Sequence, residues 1–177
     1  IAQVHGARTK DGQDVVVKVQ RLGLKPTIVS DISLLRFFLQ RILDIYPEAK
    51  LFDLGGMIDE FEQSLMRELD FQIEAQSLIR FRENFEGKER IHIPAVFDDL
   101  CAANIITMER IRGHKLTELP DDTEPSDAAE LYLDAAYQML FQDGFFHGDL
   151  HPGNVFLEAD GRLGIIDFGM VGRLSRP

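Results

Sequence analysis

The sequence predicts an α+β fold in two lobes: a small β-rich lobe with extra helices, then the start of a more helical one, cut at both ends. Three observations carry this. A valine-rich strand pair is announced by Lys10-Asp11-Gly12, and Asp-Gly is a strong hairpin turn. Apolar residues at three- and four-residue steps run through much of 26–84, the mark of helix. After Gly144 the chain returns to short apolar runs interrupted by glycines and polar residues.

The elements follow in order. "AQVHGARTKDGQDVVVKVQR" reads as two strands around the turn, and the second, Asp14 to Gln20, is a buried strand carrying one lysine, Lys18. Pro26 to Tyr46 is helical, with Ile32, Leu35, Phe38, Leu39 and Ile42 on one face and Leu34, Phe37 and Leu43 widening it; Pro47 ends it. The plain expectation is a helix buried on two sides. The sharper one is a docking face for a part of the protein outside this chain. Asp53 to Asn84 is a second helical region, acidic around "MRELDFQIEA". Pro94 to Phe97 and Asn104 to Glu109 read as strands, and "RIRGHKLTELPDDTEPSD" as a polar link. Ser126 or Asp127 is placed to cap a helix over 128–142 that Gly144 stops. Short strands are expected at 145–146, 155–157 and 163–166. Residues 1–112 are thus assigned to the first lobe, and 113–177 to the link and the start of the second.

Composition narrows the function. The 177 residues carry a net charge of −11, which excludes nucleic acid as a partner, because phosphate-backbone binding needs a basic surface. An anionic ligand here needs local positive charge or a metal ion. The single cysteine, Cys101, permits no internal disulfide, allows a reducing compartment, and reads as a small core side chain. The chain opens on Ile1, inside what reads as a strand, so a piece of a longer protein is expected. No signal peptide is visible, and no apolar run approaches the roughly 18 residues of a membrane span.

The polar residues between 147 and 169 carry the chemistry. In "HGDLHPGN" Asp149 precedes Asn154 by five residues, and in "IIDFG" Asp167 follows Asn154 by thirteen. A lone Asp-Gly is usually a capped turn. This set, with a strand lysine upstream, instead suits phosphoryl transfer, which is mostly positioning and charge neutralisation. Asp167 and Asn154 offer one carboxylate and one amide oxygen for Mg²⁺. Lys18 offers a point charge for phosphates, and Asp149 a base or orienter for a nucleophile. A buried lysine needs a carboxylate partner, which Glu68, Asp70 or Glu74 can supply.

His147-Gly148-Asp149-Leu150, Asn154 and Asp167-Phe168-Gly169 resemble the catalytic and metal loops of a protein-kinase-like fold, and "VVVK" resembles its lysine strand. The resemblance implies ATP and Mg²⁺ as cofactors. It places Met108 at the gatekeeper position and Glu109 to Ile111 beside the adenine. Gly148 stands where ordinary kinases have the arginine that docks a phosphorylated loop. Independence from such phosphorylation is therefore implied, with Ser175 the only hydroxyl after Asp167. Together with "AQVHGA", "VVVKVQR", "MRELDFQIEAQSLIRFRENF" and "HGDLHPGNVF", these motifs closely resemble the UbiB family of atypical kinases, the aarF or ADCK type, over nearly the whole chain. That resemblance puts the family's E-x-D motif on Glu68 and Asp70, and the lysine's helix glutamate on Glu74, with Glu68 a close competitor. It further implies a K-x-G-Q extension and an alanine-rich loop before residue 1 and a membrane anchor after residue 177. The full-length protein is then expected at the cytoplasmic face of the membrane, supporting ubiquinone or related isoprenoid lipid biosynthesis with quinone-precursor lipids or pathway proteins as partners. Two alternatives stay open: a small-molecule phosphotransferase of the aminoglycoside type, and a nucleotide-binding module without turnover.

Overall fold

The computed structural model describes residues 1–120 and 125–174. Strands β1 (Ala2–Arg8) and β2 (Asp14–Gln20) form the expected hairpin, pairing Val4 with Lys18. Gly12 takes the left-handed φ of 85° that closes the turn. β2 pairs on its other side with β4 (Ile105–Glu109), giving an antiparallel β1-β2-β4 sheet in which Lys18 lies opposite Ile106.

Helix α1 (Leu24–Ile45) begins after Gly23, so Pro26 sits in its first turn, where its missing N–H costs nothing. Burial on two sides is not what the fold provides. Only Ile32 of α1 is buried, while Leu34, Leu35, Phe37, Phe38, Ile42 and Ile45 face solvent. The apolar face is real; it has no second neighbour among the described residues. The second helical region is two helices, α2 (Leu54–Glu68) and α3 (Phe71–Asn84). Asp70 divides them by leaving helical geometry and accepting the Gln72 N–H at 3.0 Å as the N-cap of α3.

The strand expected over 94–97 is a single bridge, Val96 to Met108. The Ala95 N–H donates to Glu109 Oε2 and the Thr107 N–H to Cys101 Sγ, so the ladder goes no further, and the paired strand, β3, lies earlier at Ile91–His92. β3 joins β8 (Leu163–Ile165), β7 (Val155–Glu158) and β5 (Gly113–Lys115) in a four-stranded sheet ordered β3-β8-β7-β5. Helix α4 starts at Pro125, so Ser126 and Asp127 fall in its first turn rather than at a cap. It ends at Tyr137 and continues as a π-helical turn, Gln138–Asp143, before Gly144 turns left-handed. β6 (Phe145–His147) pairs with β9 (Val171–Arg173), a strand the sequence reading did not anticipate.

The core gathers α3, β4, α4 and the strands after Gly144. Phe71, Leu78 and Phe81 of α3 are sealed against Ile106, Met139, Phe145, Val155, Leu163, Ile165 and Phe168. No helix among the described residues is long and apolar enough to cross a membrane.

Candidate active site

β2 carries Lys18 and α3 carries Glu74 in its first turn, and the two meet between sheet and helix. Lys18 Nζ lies 2.9 Å from both Glu74 oxygens and 3.0 Å from Asp167 Oδ1. It also sits over the Phe71 ring, 5.4 Å from the centroid. Glu74 is thus the partner of Lys18. Burial works against the lysine's charge, but the Glu74 and Asp167 carboxylates outweigh it and hold its pKa above the ordinary value. Burial pushes the Glu74 carboxyl up, against the pull of Lys18. A pair so placed is costly to break, since removing one partner strands a buried charge.

Asp167 is the one non-glycine among the described residues with a left-handed backbone, φ 63°. Such a conformation costs on the order of 1–3 kcal/mol and persists where its surroundings enforce it. Phe168, fully buried, is the enforcing residue. Its ring packs 4.7 Å from Phe81 and 5.1 Å from the His147 imidazole, and Phe81 stacks on Phe145 at 4.6 Å. One aromatic column therefore joins α3 to both polar loops.

His147 serves as a strut. Its Nε2–H donates to the Ile166 carbonyl at 3.1 Å, and its Nδ1 accepts the Asp149 N–H at 3.1 Å. Both bonds are satisfied by a neutral ring, and burial holds the pKa below the ordinary histidine value despite the nearby Asp167 and Asp149. Gly148 has a steric reason to lack a side chain. A Cβ there would lie 2.8 Å from Met170 Cγ, where the Gly148 N–H donates to the Met170 carbonyl. Asn154, also buried, donates its Nδ2 to the Asp149 carbonyl at 3.2 Å, so its Oδ1 is the atom left as an acceptor.

Two clefts meet at the Lys18–Glu74–Asp167 group. One, about 250 Å³, has an apolar wall of Val4, Val16, Met108, Ile111, Phe156 and Ile166, with Glu109 at its edge. The other, about 380 Å³, runs past Glu68, Asp149, Gly169 and Met170. Apolar at one end, cationic in the middle and carboxylate-lined at the other, the combined space suits a ligand with a flat apolar head and an anionic tail carrying its own cation. A larger open groove of about 670 Å³ lies behind Glu109, but its Arg, Lys and Glu side chains are intermixed and it contains none of Lys18, Asp149, Asn154 and Asp167.

Of the residues expected at a site, Lys18, Glu68, Glu74, Asp149 and Asp167 line the second cleft, and Lys18, Glu74, Met108, Glu109, Ile111 and Asp167 the first. Asn154 lies beneath Asp149 through its amide bond. Asp70 joins neither cleft and caps α3 instead. Ser175 falls outside the described residues. The sequence reading missed the apolar wall of Val4, Val16, Phe156 and Ile166. The signal for the first two was available: residues 16 and 18 share a strand face, and the hairpin register sets Val4 opposite Lys18. It also missed His92, whose ring nitrogens lie 2.7 Å from Glu158 and 3.2 Å from Glu109, tying the end of β4 to β7.

The model of the ABC1 atypical kinase-like domain matches residues 1–177. The chain belongs to this family. Among its relatives, a Pseudomonas entomophila protein named "Probable protein kinase UbiB" is 36% identical over 183 residues, covering 99% of this chain and 34% of that one. An uncharacterized Synechocystis protein, slr1919, is 35% identical over 179 residues, covering 99% of this chain and 32% of that one. Rv3197 from Mycobacterium tuberculosis, solved in complex with erythromycin, superposes with a TM-score of 0.84 at 31% identity, covering 98% of this chain and 44% of that one. The chain thus spans about a third of the length of the curated relatives it matches. An α+β kinase-like fold and UbiB-type kinship, both expected from the motifs, are what these relatives share with it.

Proposed function

We propose that this domain binds Mg²⁺-ATP across the two clefts and passes the γ-phosphoryl group to water or to a small hydroxyl compound. The observation that carries this reading is the Lys18–Glu74–Asp167 contact, at 2.9 and 3.0 Å, where the apolar cleft meets the acidic one. The adenine would lie against Val16, Met108 and Ile111 beside Glu109, and the phosphates would reach Lys18. Glu68, Glu74, Asp149 and Asp167 line the second cleft against one lysine. Bare phosphates are repelled there, so binding depends on a divalent ion.

The residues fit such an ion. Mg²⁺ takes oxygen ligands and keeps several waters. Asp167 presents a half-exposed carboxylate and Asn154 an amide oxygen without a protein donor among the described residues. No three His, Cys, Asp or Glu side chains converge as a metal cluster among the described residues, which suits an ion that arrives with the phosphates. When bound, the ion would neutralise charge on the phosphate oxygens. The side chain of Asp149 is well exposed while its backbone is pinned by His147 and Asn154. It would accept the nucleophile's proton as the nucleophile's oxygen bonds to the γ-phosphorus. The bridging P–O bond breaks and its electron pair leaves with ADP.

The kinship supports a wider role. The full-length protein would serve ubiquinone or related isoprenoid lipid biosynthesis at the cytoplasmic face of a membrane, with quinone-precursor lipids or pathway proteins as partners. To test the activity, full-length protein is incubated with γ-labelled ATP, with and without membranes and phenolic quinone precursors. Released phosphate is then compared with label on added proteins. Phosphate release without protein labelling is expected. Efficient labelling of proteins in trans, abolished by Asp149→Asn, would restore an ordinary protein-kinase reading.

A further inference from the structure

We infer that His151 positions Asp149: an imidazole held with its Nε2–H toward that carboxylate, setting which oxygen meets the nucleophile. The inference rests on the nucleotide-turnover reading above.

The loop is built around this ring. His151 Nδ1 accepts the Gly153 N–H at 3.0 Å. A Cβ at residue 153 would lie 2.7 Å from Cε1 and 2.9 Å from Nδ1 of the imidazole, so only glycine there leaves the ring where it rests. Pro152, between them, fixes its own φ and brings no N–H to compete. The His151 N–H donates to the Asp149 carbonyl at 2.9 Å, and the Asn154 N–H to the His151 carbonyl at 2.8 Å, so ring and carboxylate stand on one rigid turn.

With Nδ1 committed as an acceptor, the neutral ring carries its hydrogen on Nε2. That atom is 3.9 Å from Asp149 Oδ2. This is too long for a hydrogen bond, but the side chains are 55% and 59% exposed, and the Asp149 carboxylate has room to swing toward the ring. Contacts of this kind tighten when a bound substrate excludes water. Among the described residues no side chain donates to the Asp149 carboxylate, and the His151 Nε2 is within reach of it. Donation to Oδ2 would leave Oδ1 to accept the nucleophile's proton. His151 itself is not the base, because its acceptor nitrogen, Nδ1, is taken by the Gly153 N–H.

A plain capping role accounts for the Gly153 contact, since His151 is the N-cap of the short turn at Pro152–Asn154. It does not account for the choice of imidazole. Asp, Asn, Ser or Thr caps such an N–H at least as well, and none of them extends a second, rigid donor toward Asp149.

The test is steady-state ATP hydrolysis by the full-length protein together with its thermal shift on Mg²⁺-ATP. His151→Ala is expected to lower kcat by about tenfold or more, with KM for ATP and the thermal shift unchanged. His151→Gln, which keeps a donor, should recover part of the loss. Gly153→Ala keeps the imidazole but pushes it off its seat, and should lower kcat as well, which covers an Ala variant that folds poorly. In an Asp149→Asn background His151→Ala should add nothing. An unchanged kcat in His151→Ala, a loss matched by lost ATP binding, or additivity with Asp149→Asn would each overturn this role alone. Absence of ATP hydrolysis in the wild type would overturn the functional reading itself, and this role with it.

Discussion

The α1–α2 pair and the loops between His147 and Gly169 are both rich in apolar residues, yet they use them in opposite ways. In the loops, Phe168 and Val155 are fully buried and His147 and Asn154 nearly so, with both ring nitrogens of His147 and the amide nitrogen of Asn154 hydrogen-bonded to the backbone. In α1 and α2, Ile32 alone is buried, and the phenylalanines at 37, 38 and 61 face solvent. The polar residues of the loops hold their shape because an aromatic column from α3 stands behind them. The helical pair is anchored mainly by its own contact and by the exposed Arg36 link to Asp59 and Glu62, a type of ion pair that contributes little. Apolar periodicity thus marks a face that needs cover, and leaves open what covers it.

Truncating the column should expose this contrast most strongly. Phe168→Ala is expected to cost about 3–5 kcal/mol in denaturant unfolding, the range for a sealed phenylalanine. A loss below about 1 kcal/mol would mean that the column does not support the loops. A middle-sized effect should come from pH. The folded-state pKa of His147 is depressed, so its contribution to stability is complete above the unfolded value near 6.5. It is lost as pH falls from there through the folded pKa, by no more than about 1.4 kcal/mol per pH unit for one proton. Carboxylates with lowered pKa, such as Glu109, act in a separate window below about 4.5. Unfolding curves at pH 7.5 and 5.5 should therefore converge in His147→Gln relative to wild type. Equal pH slopes in the two proteins would remove His147 from the account. The smallest effect should lie on the helical pair: Phe38→Ser ought to change stability by no more than about 0.5 kcal/mol, and a larger loss would show that this face is covered in solution.

The same contrast decides what was legible in the sequence. The hairpin, the order of helices and the residues of the two loops were readable, because turn residues and motif spacing are local signals. Asp149, Asn154 and Asp167 needed only their intervals. What was not readable depends on distant partners. Three acidic residues competed for Lys18: Asp70 is spent capping α3, and Glu74, in the first turn of that helix, is the one that meets the lysine. The Pro94 segment looked like a strand by composition, but the Ala95 and Thr107 N–H groups that would extend its ladder are taken by Glu109 Oε2 and Cys101 Sγ. β9 gave little warning because Val171–Arg173 is short and pairs only through β6. His92 lies in an unremarkable stretch, and nothing nearby in sequence announces Glu109 and Glu158 on either side of it.

The central claim is that the Lys18–Glu74–Asp167 junction is a Mg²⁺-nucleotide site. Thermal unfolding of the full-length protein with and without Mg²⁺-ATP, in wild type and Asp167→Asn, addresses it most directly. The substitution removes one carboxylate and its charge while leaving an amide of the same shape. A clear Mg²⁺-dependent upward shift in the wild type, largely lost in Asp167→Asn, is the expected result. An equal shift in both proteins, or none in the wild type, would contradict it.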